Sequence, residues 1–540
     1  KIRSIEGKVL YRYWIVIHVR VAVPLEKIFE LEAWEEIQNV FSDDPKYQLQ
    51  AFDGQHVASG TRLGEFEALS LYGSVGGSFG NNNDIKLGIA DAGDFYCNHD
   101  MWKDCPWCGS RLLHAGDCDS ISCEPSGSMT NCGSGTLSND HGFKVAWAAA
   151  ASIEQGQDSS YLGTQTLDQQ QRSGMLREAE IFYIDPSRAC GLKKAYEQFS
   201  SFGVDVINMS ISFPGYKATS DYCGLNAIFR SAFNAGVISV SAAGNGANPP
   251  AGETTAIEYP ANRPEVLSIG AVQAPGGDYS ISYLSPYSAI GPWYSTFMNG
   301  SSATIHNVDL VAPAGLTHWP DSISTYNTTG PIHGTSFSAP IAAAAAGFVR
   351  DWMVSEGWTT RAHSTGDVFV NMMVLGDGYD GYSDPNGKYT FSLSPRSGFG
   401  RMKAVMPDSS FLGTTYQYVA GSGTLYPGGT IVSDVGPGTG LVESPYIQGL
   451  KAALFFVDHD SVNIPKIVFE IMHTCHSSGV DQTVEWSNTT NSTKQRLIIT
   501  ESQIHGKCLE VRIRDNGGVP SSGQKVYYAY YYYSNSHNLH

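Results

Sequence analysis

The chain has 540 residues, and at about 150 residues per domain this length predicts roughly three domains. Hydrophobic residues make up 42% of the chain and charged residues only 16%, which excludes a disordered polyelectrolyte and a coiled coil. The formal net charge of −18 argues against nucleic acid or an anionic membrane as the main partner.

Residues 1–60 form the first predicted unit, which is of α+β type. Apolar side chains alternate along residues 15–23 as they do in a strand. Pro24 then opens a helix that continues to about Phe41 with its apolar residues on one face. A further strand is predicted near residues 47–52. No apolar run in the chain reaches the roughly 18 residues that a membrane span needs, so we expect none.

Residues 61–407 alternate short hydrophobic strands with helices. This repetition predicts an α/β unit, a parallel sheet with helices on both faces. The predicted strands lie at 85–90, 179–184, 204–209, 237–242 and 266–272, and helices between them include 191–202 and 225–235.

In residues 408–540, the apolar residues no longer recur at helical spacing. The pattern there indicates strands separated by Gly, Pro, Asn and Ser turns. Along 508–514, apolar and charged side chains alternate, as expected where one face of a sheet is buried. We therefore predict a C-terminal β-sandwich. Its predicted strands lie at 454–457, 466–472, 496–500, 508–514 and 525–533.

Ten cysteines are present, and six of them fall in a Gly- and Ser-rich segment at 97–132 that we interpret as an insertion. Disulfides are the preferred interpretation, because the segment has few aliphatic residues for a core of its own. A zinc or redox element at Cys105 and Cys108 is the alternative. Six cysteines allow fifteen pairings, and we assign none.

The remaining four cysteines form two local pairs, predicted from proximity and domain membership as Cys190–Cys223 and Cys475–Cys508. Disulfides of this kind indicate an oxidising compartment, so we expect a secreted, extracellular protein. Glycosylation sequons fit the same expectation, and they lie at Asn299, Asn327, Asn488 and Asn491.

Three polar residues stand where predicted elements of the α/β unit begin or end. Asp91 follows the strand at 85–90, while His141 and Ser336 each lead into an Ala-rich helix. Parallel sheets place their functional sites at the carboxyl ends of their strands, so we expect the three side chains to meet. A serine hydroxyl needs a base, histidine can act as that base, and a carboxylate orients the imidazole.

An oxyanion would need hydrogen-bond donors at the same place. The backbone N–H of Ser336 lies at a helix N-terminus, where it has no partner within the helix. Asn245 follows the strand at 237–242 with glycine beside it, and its amide is the second predicted donor.

With these residues in order, the chain resembles the subtilisin-like serine proteases, or subtilases. The resemblance covers residues 61–407, and its most specific motif is GTSFSAP at 334–340. The other matching segments are IKLGIADAG at 85–93, HGFKVA at 141–146, VINMSIS at 206–212, SAAGN at 241–245, YPA at 259–261, DLVAPAG at 309–315 and GFGRMKA at 398–404.

The resemblance implies a subtilisin-like catalytic domain that acts as a secreted serine endopeptidase on protein or peptide substrates. Asp91, His141 and Ser336 would be its catalytic triad, and Asn245 would supply the oxyanion-hole side chain. The remaining implied residues contact substrate: Ser210, Ile211 and Ser212 would pair with it as a strand, and Ala243 and Gly244 would form the opposite wall of the primary specificity pocket.

Several residues depart from the family pattern, among them Phe143 and Lys144, which replace the usual Thr-His after His141-Gly142. Ala92 follows the catalytic aspartate where a hydroxyl residue is usual, so a local hydrogen bond is lost. Ser212 stands where glycine is usual, which predicts a narrower pocket. Phe337 replaces the usual methionine after the nucleophile, which predicts greater resistance to peroxide, since methionine oxidises to a polar sulfoxide.

Several alternatives stay open from the sequence alone. Residues 1–60 have the element order of a subtilase propeptide, which would inhibit the enzyme, or they are an extension of the mature chain. The chemistry requires no cofactor, and the resemblance allows structural calcium. The alternative functions are a transpeptidase or cyclase, which passes the acyl-enzyme to an amine, and a catalytically silent binding protein.

Overall fold

The computed structural model describes the elements of all three predicted units. The described residues are 8–13, 18–22, 48–49, 85–103, 110–119, 121–125, 129–130, 132–133, 140–151, 174, 176, 179–213, 222–246, 257–273, 283–291, 293–296, 302–306, 308–316, 332–355, 358, 364–376, 397–402, 416–435, 449–456, 467–473, 483–490, 494–500 and 509–533.

Three short strands are described before residue 60: β1 (Lys8–Tyr13), β2 (His18–Ala22) and β3 (Gln48–Leu49). β1 and β2 pair antiparallel as a hairpin. β2 lies within the alternating run that predicted a strand, and β3 lies within the strand predicted at 47–52. The helix predicted from Pro24 to Phe41 lies outside the described residues.

A twisted sheet forms the centre of the α/β unit, and seven of its eight strands run parallel. This confirms the predicted fold class. Its strands are β4 (Lys86–Ala90), β5 (Leu112–Asp117), β6 (Glu180–Asp185), β7 (Val206–Met209), β9 (Ile238–Ala242), β10 (Val266–Gln273), β11 (Tyr283–Leu284) and β14 (Leu310–Pro313), and the short strand β8 (Ile211–Ser212) follows β7.

The order across the sheet is β5-β6-β4-β7-β9-β10, with β14 beside β10 and β11 antiparallel to it. Two further pairs lie outside this sheet. They are the antiparallel hairpin of β12 (Trp293–Thr296) with β13 (Ser302–His306), and the antiparallel pair of β15 (Gly315–Leu316) with β16 (Ile332–His333).

The described residues of this unit contain five α-helices: α1 (His141–Ala150), α2 (Ala189–Phe202), α3 (Leu225–Asn234), α4 (Thr335–Ser355) and α5 (Thr365–Leu375). α1 and α4 contact each other, and their small side chains allow a close approach. Residues 341–346 of α4 are all fully buried, so this helix forms part of the central core.

The Cys-rich segment contributes more to the fold than the sequence indicated, because its strand β5 is the edge strand of the main sheet. Two disulfides join the described parts of the segment, Cys97–Cys132 and Cys118–Cys123. The predicted pair Cys190–Cys223 is confirmed. Cys105, Cys108 and the predicted pair Cys475–Cys508 lie outside the described residues.

The C-terminal strands form two four-stranded antiparallel sheets, ordered β17-β24-β19-β22 and β18-β23-β20-β21. This arrangement is consistent with the predicted β-sandwich. The strands are β17 (Tyr416–Leu425), β18 (Thr430–Val435), β19 (Gly449–Phe456), β20 (Ile467–His473), β21 (Thr483–Thr490), β22 (Lys494–Thr500), β23 (Leu509–Asp515) and β24 (Gln524–Tyr533).

One of these sheets packs directly on the α/β unit. Strands β19 and β24 contact helix α5, and the ring of Tyr527 lies 6.2 Å from that of Phe233 in α3. Phe455 in β19 joins the same aromatic cluster. The two regions therefore share an apolar core. The predicted bounds of the three units stay predictions.

Candidate active site

The residues predicted to carry the chemistry lie at the ends of elements around the carboxyl edge of the parallel sheet. Asp91 directly follows β4, and His141 is the first residue of α1. Ser336 is the second residue of α4. All three are buried, with exposed fractions of 0%, 7% and 0%.

Asp91 and His141 are in direct contact. The distance between Asp91 Oδ1 and His141 Nδ1 is 2.6 Å, the length of a strong charge-assisted hydrogen bond. Asp91 Oδ1 also accepts a hydrogen bond from the backbone N–H of Ala92 at 2.7 Å. Asp91 Oδ2 is buried, and no described residue donates a hydrogen bond to it. This agrees with the alanine at 92, which cannot supply the hydroxyl that is usual there.

Ser336 directly precedes a residue that contacts the imidazole of His141. The ring of the next residue, Phe337, packs 5.7 Å from the ring of His141. The Ser336 hydroxyl donates a long hydrogen bond, 3.4 Å, to the carbonyl oxygen of Ser210. His141 Nε2 is buried and forms no hydrogen bond with any described residue. In this structure the serine hydroxyl is therefore turned toward Ser210.

Ser210 supports the first turn of α4 with its side chain. Proline lacks an N–H, so Pro340 cannot donate the usual helical hydrogen bond to the carbonyl oxygen of Ser336. The Ser210 hydroxyl donates to that oxygen instead, at 2.7 Å. Asn208 Nδ2 donates in turn to the Ser210 hydroxyl at 3.0 Å. The sequence did not predict this supporting network, although Pro340 four residues after Ser336 was a signal for it.

Asn245 is fixed next to the start of α4. Its side-chain oxygen accepts hydrogen bonds from the backbone N–H and the hydroxyl of Thr335, at 3.0 and 3.1 Å. Because Thr335 occupies the amide oxygen, the amide nitrogen faces the opposite direction. Thr335 thus orients Asn245, a role that sequence analysis did not assign.

The residues predicted to contact substrate form two buried segments. Ser210, Ile211 and Ser212 continue from β7 into β8, while Ala243 and Gly244 follow β9. β8 is paired antiparallel with β3, with Leu49 opposite Ile211 and Gln48 opposite Ser212. Strand β3 of the N-terminal unit thus pairs with the segment that was predicted to bind substrate.

Glu258 was missed by sequence reasoning and lies between these two segments. Its backbone N–H donates to the carbonyl oxygen of Ala243 at 3.0 Å, and its carboxylate accepts a hydrogen bond from the Ser212 hydroxyl. Burial raises the pKa of Glu258, and the hydrogen bond from Ser212 partly offsets this effect. The only sequence signal was its position directly before the matching YPA segment.

Metal binding can be tested against the side chains that the structure describes. Among these residues, no three His, Cys, Asp or Glu side chains converge to hold a metal ion. We therefore place no calcium ion on them and derive no step through a metal.

Comparison with known proteins agrees with this geometry. Residues 114–365 match the model of the subtilase family. The match contains His141, Asn245 and Ser336, and it begins after Asp91. The resemblance to subtilases found in the sequence is therefore confirmed.

Among solved structures, this chain is similar to fervidolysin from Fervidobacterium pennivorans, a keratinolytic enzyme related to subtilisin. The identity is 14% and the TM-score 0.49, over 92% of this chain and 66% of that chain. For the epidermin leader peptide processing protease EpiP from Staphylococcus aureus, the identity is 14% and the TM-score 0.47, over 75% and 93%. For the CspB protease of Clostridium perfringens, the identity is 14% and the TM-score 0.43, over 62% of this chain and 97% of that chain. At this level of similarity, none of these proteins indicates a substrate for this chain.

Proposed function

We propose that this chain is a secreted serine endopeptidase that hydrolyses peptide bonds through Ser336, His141 and Asp91. The observation that carries the proposal is the 2.6 Å hydrogen bond between Asp91 and His141, with Ser336 at the start of the helix whose next residue, Phe337, packs against the same imidazole. Subtilase membership of residues 114–365 supports the same reaction class.

Acylation would begin when the Ser336 hydroxyl turns from Ser210 toward His141. The oxygen attacks the peptide carbonyl carbon while His141 Nε2 takes the hydroxyl proton. Asp91 stabilises the imidazolium that forms and holds the ring in the tautomer whose Nε2 accepts the proton. His141 then returns the proton to the leaving amine, and water hydrolyses the acyl-enzyme with His141 as base.

The negative oxygen of the tetrahedral intermediate would be held by two donors. One is the backbone N–H of Ser336, at the N-terminus of α4. The other is the amide nitrogen of Asn245, whose orientation is set by Thr335 before substrate arrives. Such preorganised donors stabilise a transition state by roughly 3–4 kcal/mol each, because they need no rearrangement during the reaction.

Substrate would lie along β8 as an added strand, held by main-chain hydrogen bonds. The substrate residue whose carbonyl is attacked by Ser336 would place its side chain between β8 and the wall formed by Ala243 and Gly244.

We also propose that the N-terminal unit is an inhibitory propeptide, because β3 pairs with the same strand that substrate would use. The double variant Gln48→Pro/Leu49→Pro removes both backbone N–H groups of β3. Adjacent residues of a strand direct their N–H groups to opposite sides, so one of these two groups faces β8. We expect the variant to raise kcat/KM on a peptide substrate by about fivefold, since a net hydrogen bond of about 1 kcal/mol is lost.

The control for this variant is Gln48→Ala/Leu49→Ala, which keeps both N–H groups and should leave kcat/KM near the wild-type value. Equal rates for the proline variant and wild type would show that β3 does not compete with substrate.

Secretion rests on the three disulfides of the described residues. Among those residues, no helix is both long and apolar enough to cross a membrane. We propose a glycosylated extracellular protein, and mass spectrometry of the secreted chain at Asn299, Asn327, Asn488 and Asn491 tests this.

The decisive experiment is labelling of the full chain with a serine-directed fluorophosphonate, together with cleavage of an unfolded protein. We expect labelling that is lost in Ser336→Ala and kept in Ser338→Ala, since the Ser338 hydroxyl is already hydrogen-bonded to Ala312 at 3.1 Å. A wild-type chain that neither labels nor cleaves would be a silent binding protein instead. Labelling with ligated rather than hydrolysed products would indicate a transpeptidase or cyclase.

A further inference from the structure

One carboxylate connects the two walls of the proposed substrate cleft. Glu258 is hydrogen-bonded through its backbone N–H to Ala243 on one wall and through its side chain to Ser212 on the other. Its side chain therefore spans the space between the walls, where the substrate side chain before the scissile bond would enter.

The backbone on both sides of this carboxylate is held in place. The carbonyl oxygen of Tyr259 accepts from the N–H of Phe213 at 2.8 Å, and the Tyr259 hydroxyl donates to Asn226 at 3.0 Å. The carbonyl oxygen of Glu258 accepts from the N–H of Asn262 at 3.2 Å. Glu258 is thus a fixed feature of the cleft.

Burial removes the Glu258 carboxylate from much of the solvent, which bears on the ligand that it favours. Ile257, Tyr259 and Ala243 are almost completely buried beside it, while Glu258 itself keeps part of its surface exposed. A neutral apolar side chain would bury this carboxylate further at a cost, and an acidic one would be repelled. A cation would form an ion pair instead.

The remaining wall suits a long side chain. Gly244 has a φ of 116° and no side chain, so this part of the wall leaves room beside the backbone. The aliphatic stem of lysine or arginine can lie along Ala243 and Gly244 while its charged end reaches the carboxylate. Ser212, which departs from the usual glycine, has a purpose here as the hydrogen-bond donor that orients Glu258.

We propose that Glu258 is a specificity-determining residue that selects lysine or arginine at the position whose carbonyl Ser336 attacks. This inference rests on the proposed function and names the substrate class of that site.

The test uses the full chain and a set of peptides that differ only in the residue before the scissile bond: Lys, Arg, Leu, Phe, Ala or Glu. Mass spectrometry gives the cleavage point and kcat/KM for each peptide. We expect wild type to prefer Lys and Arg and to cleave the Glu peptide slowest.

The variant Glu258→Gln keeps an oxygen that can accept from Ser212 and removes only the charge. We expect kcat/KM for the Lys and Arg peptides to fall by about 100-fold, as for loss of one partner of a desolvated ion pair. The values for the Leu and Phe peptides should not fall and should rise where burying the charge was costly. Fluorophosphonate should still label Ser336 in this variant. Ser212→Ala should give a smaller loss with the same pattern, because the carboxylate remains.

Two results would overturn the inference while the proposed function stands: wild type that labels and cleaves but prefers Leu or Phe, or Glu258→Gln that keeps the Lys and Arg preference. If Glu258→Gln does not fold, the kcat/KM values of wild type on the peptide set still test the inference. A chain that neither labels nor cleaves would overturn the proposed function, and this inference with it.

Discussion

Two carboxylates, the buried Asp91 and the partly exposed Glu258, differ in the group that accompanies each. Asp91 is hydrogen-bonded to a histidine, which can take up a proton and become charged during the reaction. Glu258 is hydrogen-bonded to a serine hydroxyl, which stays neutral. In the proposed reaction, Asp91 stabilises the imidazolium of His141, a positive charge that forms within the protein. The positive charge proposed to pair with Glu258 belongs to a lysine or arginine of the substrate. The hydrogen-bond partner of each carboxylate therefore distinguishes its proposed role in catalysis or in substrate selection.

The largest expected effect separates these two roles. Asp91→Asn should lower kcat by about 10⁴ for every peptide, because the amide favours the wrong tautomer of His141. The loss should be the same for Lys and Leu peptides, in contrast to Glu258→Gln. Steady-state kinetics on both peptides measures it. An Asp91→Asn enzyme that keeps more than about a tenth of wild-type kcat would contradict this assignment.

The next effect concerns the oxyanion side of the catalytic centre. Asn245→Ala should lower kcat by about 10²–10³ with little change in KM, because the amide stabilises charge that develops only in the transition state. Thr335→Val removes one of the two hydrogen bonds that orient the amide and should cause a smaller loss of kcat. If Asn245→Ala raised KM and left kcat unchanged, Asn245 would bind substrate rather than the oxyanion.

A third buried ionisable group, outside the cleft, should affect stability without affecting selectivity. Burial lowers the pKa of His114 in β5 from 6.5 to about 4. Between these values the unfolded chain binds a proton that the folded chain does not, so the free energy of unfolding falls as pH drops from 6.5 toward 4. His114→Phe should reduce that fall by about 1–2 kcal/mol between pH 6.5 and 4.5.

Urea unfolding at the two pH values measures this difference. The same fall in both proteins would show that His114 titrates normally, and a changed peptide preference in the variant would place its influence in the cleft.

The smallest expected effect concerns the resistance of the enzyme to inactivation by peroxide. The ring of Phe337 packs against His141 where methionine is usual, and a phenyl ring does not oxidise to a sulfoxide under mild peroxide. Phe337→Met should have near-normal starting activity but lose it several-fold faster in peroxide, while Phe337→Leu should stay resistant. Activity assayed during exposure follows the change. Rapid loss in wild type with Ser336 intact would contradict it.

Five strands of the parallel sheet were predicted to within a few residues, because each is a short hydrophobic run and the pattern of such runs is local: β4, β6, β7, β9 and β10. Helix α5 and the parallel strands β5 and β14 were not predicted. β5 is short and lies within the Cys-rich segment, where composition indicated a loop stapled by disulfides. Its place in the sheet depends on pairing with β6, which no local pattern specifies.

The sequence by itself determined the α/β class, the Cys190–Cys223 disulfide and the four candidate residues Asp91, His141, Asn245 and Ser336, because each of these residues sits in a short motif with a distinct neighbourhood. Only the tertiary structure brought Glu258 to Ser212, 46 residues away in the sequence, and β3 to β8. The reason is that these contacts join segments through the arrangement of the whole sheet, and nothing in either segment specifies its partner.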